Sequence, residues 1–231
     1  MLWFVRAIGI VSALVLLVAL YMQFGRPRFI EVGEQGGKLP GGFGGHMLAM
    51  EFVRSTEDIE AIVGAPGHPN RMTMRRKIEV DNVWIGCYAL LFVFVSILLG
   101  TRQFPSAMYL AVVAALCGFA AAGFDIIENR GILRALELTK GAAASDILPL
   151  IREAALLKWA LVFVSMAILA ITFFGRDEWV SLIGYCFATT AIVGFVGLWR
   201  NPLLGLSSLP MAVGLLLLTV QAFWRADQFL P

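Results

Sequence analysis

The sequence predicts an all-α protein: a polytopic membrane helix bundle of six transmembrane helices, with a Gly-rich loop and short amphipathic helices on one membrane face. Three observations predict it. Hydrophobic residues make up 59% of the 231-residue chain and charged residues only 15%, against about 45–50% and roughly 25% in a soluble domain. The apolar residues gather in six uncharged runs of 17–24 residues, the helix length that a hydrocarbon core of about 30 Å requires. The tryptophans Trp3, Trp84, Trp159, Trp179, Trp199 and Trp224 all fall near the ends of those runs, where membrane–water interfaces hold them. Continuous runs, rather than alternating ones, exclude a β-barrel. The composition also excludes a nucleic-acid-binding protein, a disulfide-built secreted domain and a disordered chain.

Residues 1–24 read as the first transmembrane helix, an uncleaved anchor. Arg6 and the run Ala7–Phe24 resemble a signal peptide, but Tyr21-Met22-Gln23-Phe24 offers no small-residue cleavage site. Residues 25–80 form the one substantial extramembrane segment. Its stretch Gly33 to Gly45 is a flexible glycine-rich loop and not a phosphate cradle. The Walker pattern would need Gly where Val32 stands and Ser or Thr where Leu39 stands. His46 to Val53 reads as a short helix. Ser55 then reads as an N-cap with Asp58 three residues on, and Gly64 as the stop of a second helix. Met47, Met50, Ile59 and Ile62 give these helices an apolar side for the bilayer surface or the bundle. Residues 81–231 form a five-helix transmembrane bundle. Its runs are Asn82–Thr101, Gln103–Phe124, Trp159–Gly175, Trp179–Trp199 and Asn201–Trp224. Ser145-Asp146 resembles a helix start with Pro149 tolerated in the first turn. Gly184, Ala188, Gly194 and Gly197 make small-residue packing faces.

Six spans place residues 25–81, 125–158 and Arg200 on one side, with 14 of the 18 basic residues. The positive-inside rule puts that side in the cytoplasm and both termini outside. Arg71, Arg75, Arg76 and Lys77 precede the second span and either set topology or hold anionic lipid headgroups.

No cofactor is expected. His46 and His68 both lie outside the runs, so no pair of intramembrane histidines can hold haem. No lysine is placed deep in a helix, which argues against a retinal Schiff base. Cys87, Cys117 and Cys186 sit singly in three spans as packing residues and form no CxxC arrangement.

The positive signal lies at the end of the third span. Asp125, Glu128 and Asn129 share one helical face by their i, i+3, i+4 spacing, below a stripe of Cys117, Gly118, Ala121 and Ala122 that suits close helix packing. Asp81, Trp84 and Tyr88 share a face of the second span. The short joint between the two spans brings Asp81 level with Asp125 and Glu128, with Arg130, Arg200 and Asn201 on the same side. Such a polar cluster has three readings. It ties helix ends together through Arg130 or Arg200. It binds a divalent cation through Asp81, Asp125 and Glu128 and serves a lipid-headgroup enzyme with those residues as catalytic groups. Or it relays protons or ions.

Asp81 opening a span that contains Tyr88, followed by Asp125-x-x-Glu128-Asn129, resembles a pattern of uncharacterised bacterial multi-pass membrane proteins. Those proteins also carry a segment similar to Met50-Glu51-Phe52-Val53-Arg54-Ser55-Thr56-Glu57-Asp58. The resemblance covers residues 46–130, implies a bacterial inner membrane, and brings no reaction with it. On sequence, the expected function is a non-catalytic accessory or complex subunit packing against membrane lipids or other membrane protein subunits. The alternatives are the lipid-headgroup enzyme and a small proton- or ion-coupled transporter.

Overall fold

The structure, a computed structural model, describes residues 1–32, 39–141 and 146–229. Among these residues the regular structure is entirely helical. The long helices are α1 (Leu2–Phe24), α4 (Pro69–Gly100), α5 (Ala107–Ala135), α6 (Ile147–Ala170), α7 (Glu178–Trp199) and α9 (Ser208–Trp224). Short helices α2 (His46–Glu51), α3 (Thr56–Val63) and α8 (Asn201–Leu206), with two 3₁₀ turns at Pro40–Gly42 and Ala226–Phe229, connect or end them. Six stretches are long and apolar enough to cross a membrane, the last running Leu203–Trp224 through α8 into α9.

These helices close into a ring in chain order. Each of α1, α4, α5, α6 and α7 packs on the next, α7 packs on α9, and α9 returns to α1. Polar side chains seal two of the seams. Ser12 Oγ donates to the Leu215 carbonyl at 2.9 Å, and Ser165 Oγ to the Ala114 carbonyl at 3.0 Å. The glycines of α7 set its distance to its neighbours. A Cβ at Gly194 would sit 2.2 Å from the Phe163 ring, and one at Gly197 would sit 2.5 Å from the Leu204 backbone. The small-residue faces of α7 therefore serve packing within the chain.

Two helices outrun the uncharged stretches, and one of them moves a boundary. α4 begins at Pro69, capped by His68 Nδ1 accepting from the Asn70 N–H at 3.1 Å, so the division of 25–80 from 81–231 falls inside one helix. α6 begins at Ile147, directly after Asp146, and runs without a break into the fourth apolar run, in keeping with the helix start read at Ser145-Asp146. A charge ends an apolar run but not a helix, provided the charged group finds partners. Ser145 and Gly33 to Lys38 lie outside the described residues.

α2 and α3 lie on the bundle. Ser55 Oγ accepts from the Asp58 N–H at 3.2 Å, and Gly64 ends α3 at φ 80°. Met50, Ile59 and Ile62 are buried in the same core as the long helices, and α2 touches both α5 and α6. Its last residue, Glu51, is thereby delivered to the bundle.

Candidate functional site

Lys158 is the centre of the site. It falls on the inward stripe of α6 with Ile151, Ala154, Ala155 and Val162, all of them buried. Its Nζ lies 2.8 Å from Glu128 Oε2, 3.2 Å from Asp125 Oδ1 and 3.0 Å from Glu51 Oε2. Three elements, α2, α5 and α6, thus converge on one ammonium group.

A second tier surrounds this centre. Tyr88 of α4 donates its hydroxyl to Asp125 Oδ2 at 2.9 Å. Asn129 Nδ2 donates to Asp81 Oδ2 at 2.8 Å and to Asn82 Oδ1 at 3.2 Å. Trp159 Nε1 donates to Glu51 Oε2 at 2.7 Å, and the Lys158 ammonium stands 5.1 Å from the Trp159 ring centre. Trp84 stacks edge-on to Tyr88 and reaches α1 through the Val15 carbonyl at 3.1 Å. Six of the seven charged or amide members are shielded: Asp125 and Glu128 are 1% exposed, Asn129 2%, Lys158 4%, and Asp81 and Glu51 8%; Asn82 alone is exposed.

Four carboxylates therefore share a buried volume with one cation. Among the described residues, Lys158 is the one base in salt-bridge contact with any of them. Fully ionised, the cluster would carry three uncompensated negative charges away from water, a state that costs several kcal/mol per ion. Protons are the available remedy, because a carboxyl group that takes one becomes neutral and gains a donor. Burial pushes the Glu51 carboxyl above the ordinary carboxylate range, with Asp125 adding to the rise and the Lys158 ammonium opposing it.

The structure thus brings together Asp81, Asp125, Glu128 and Asn129, as the helical spacing predicts. Arg130 and Arg200 are exposed and stand outside the cluster. Their expected role belongs to Lys158, because a side chain on an inward stripe reaches the acids and one on an outward face does not. Lys158 also removes the premise that no lysine lies deep in a helix. Its Nζ occupies the focus where a cation held by Asp125 and Glu128 would sit. Among the described residues, no group of three or more His, Cys, Asp or Glu side chains is placed to hold a metal ion. Beside the cluster, Trp84, Tyr88, Phe92, Asp125, Lys158 and Trp159 line part of a largely apolar cavity of about 30 Å³, the share of a single water.

Glu51, Lys158 and Trp159 are the members that sequence reasoning missed. Lys158 was legible as a member of the apolar stripe Ala154, Ala155, Lys158, Val162. Glu51 stood in the apolar stretch Met47 to Val53.

The basic residues before the second run divide. Arg71 and Lys77 are buried and face backbone carbonyls, which corrects their assignment to lipid headgroups. Arg71 donates to Gly64, Leu136 and Leu138 at the end of α5. Lys77 Nζ donates to the carbonyls of Met22 at 2.7 Å, Gly25 at 2.9 Å and Tyr21 at 3.3 Å at the end of α1. Arg75 pairs with Glu137, and Arg76 is exposed.

No protein-family model, no curated protein and no solved structure matches this chain.

Proposed function

We propose that this is a multi-pass membrane protein whose buried acid–lysine cluster takes up and releases protons, placing it among small proton-coupled carriers. The single observation that carries the reading is the count, within the cluster, of four buried carboxylates against one ammonium group. A purely structural network needs balanced charge. A surplus of acids inside a bundle is instead the arrangement that proton relays use. Membrane insertion is supported by the large apolar side chains that the bundle turns outward, among them Leu17, Ile97, Leu116, Phe119 and Ile192, a surface that water tolerates poorly. With 14 of 18 basic residues on the side of the 25–81 segment, that side is cytoplasmic.

The accessory-subunit expectation rested on the lack of a complete catalytic or cofactor constellation, and the surplus of buried acids favours a proton-handling role over it. A lipid-headgroup enzyme would need a cavity at the carboxylates large enough for a headgroup, and about 30 Å³ does not supply it.

The test uses full-length protein in sealed vesicles with an entrapped pH dye. An imposed acid step should produce a burst of proton uptake in proportion to protein, reduced at least severalfold in the Asp125→Asn, Glu128→Gln double variant. Identical traces from wild type and double variant would defeat the reading.

A further inference from the structure

A second polar feature lies away from the cluster, where α1 ends and α4 begins. Arg26, Pro27, Arg28 and Arg76 line an open cavity of about 460 Å³, within the usual range for ligand sites of about 300–1,000 Å³. All three arginines are exposed. Among the described residues, none of them has a carboxylate in salt-bridge contact. The carbonyls at the end of α1, a natural sink for such charge, are already taken by Lys77. Among the described residues, the three guanidinium groups therefore keep their charge and their donors open to a ligand.

We infer that this cavity binds the phosphate of an anionic lipid. Guanidinium groups match phosphate oxygens with paired, charge-assisted hydrogen bonds. The surroundings choose lipid over free phosphate. Phe24 closes α1 just before Arg26, and Val83 lies two helical turns after Arg76 on the same face of α4, toward the membrane-spanning run. Both apolar side chains are more than half exposed, at 63% and 58%, and offer an acyl chain a path from the headgroup into the bilayer. The inference rests on the membrane reading of α1 and α4. Of the headgroup site that the sequence placed on Arg71, Arg75, Arg76 and Lys77, it keeps Arg76 and leaves out Arg71 and Lys77, whose charges are spent on carbonyls, and Arg75, which pairs with Glu137.

The experiment titrates full-length protein, first reconstituted in phosphatidylcholine bilayers, with phosphatidic acid and in a parallel arm with inorganic phosphate. Each basic residue near a membrane surface contributes about 1 kcal/mol, so the Arg26→Gln, Arg28→Gln, Arg76→Gln variant should bind phosphatidic acid on the order of a hundredfold more weakly. A control triple with the same charge change at the exposed residues Arg54, Arg130 and Arg134 should bind as wild type does. Equal affinity in the cavity variant, or an equal loss in the control, overturns the inference. Inorganic phosphate binding as tightly as the lipid overturns the lipid assignment. Failure to enter the bilayer at all would count against the membrane reading, whereas entry without arginine-dependent binding defeats this inference alone.

Discussion

Lys158 is the residue on which the site depends. Its ammonium is the shared partner of Asp125, Glu128 and Glu51, and removing one member of a buried ion network costs about 3–5 kcal/mol. Lys158→Met should therefore lower thermal stability sharply at neutral pH and recover part of it in acid, where protons replace the lost cation. A loss that does not vary with pH would contradict this. Glu51 gives a second pH test. An acid whose folded value lies above its unfolded one holds more protons when native, so stability is highest below the unfolded value and falls as pH climbs through the folded one. Wild-type stability should thus decline as pH rises from the ordinary carboxylate value of 4.5, and Glu51→Gln should flatten that decline in melting curves. Part of this site was legible without coordinates. Asp125, Glu128 and Asn129 announce themselves by spacing on one strongly helical stretch. Lys158 did not, because counting uncharged residues stops at every charge, including one that the fold buries. Glu51 was hidden for another reason: it reaches the cluster from a short helix far away in sequence, and only tertiary packing brings it there.

The helices themselves were legible because length and apolarity are enough to define a membrane-length helix. The start of α4 was not, since polar residues beyond the apolar window are stabilised by partners on other elements. Lys77 shows how. It lies inside α4, yet its ammonium closes the last carbonyls of α1, a favourable place for a cation against the helix dipole. Lys77→Met leaves those acceptors without their donor and should cost about 1–3 kcal/mol. The neighbouring Arg76→Gln, at an exposed position, should shift stability by no more than about 0.5 kcal/mol. Comparable melting temperatures for the two variants would refute the distinction. The packing of α7 on α6 makes a parallel prediction. Gly194→Ala forces a methyl into the Phe163 ring and should destabilise by about 1–3 kcal/mol. Gly123→Ala meets no atom within 4 Å and should gain up to about 1 kcal/mol from helix propensity.

At the scale of the whole molecule, the ring of helices explains why the polar cluster exists where it does. Closing α9 onto α1 turns one face of every long helix inward, and small residues along α5 let its neighbours approach. A Cβ at Gly118 would lie 2.6 Å from Phe92, and one at Gly131 would lie 2.7 Å from Ile151. The same close approach buries Asp125 and Glu128, and their charge is then balanced by neighbours within the bundle. The central claim is that one ammonium cannot balance four carboxylates there, so the cluster holds protons at neutral pH. Infrared difference spectra of the full-length protein in a bilayer, read at the C=O stretch of protonated carboxyl groups, test it most directly. The account predicts such a band at neutral pH, lost or shifted in Glu51→Gln, since burial pushes the Glu51 carboxyl upward. A neutral-pH spectrum with no protonated carboxyl band, all four groups ionised, would contradict it.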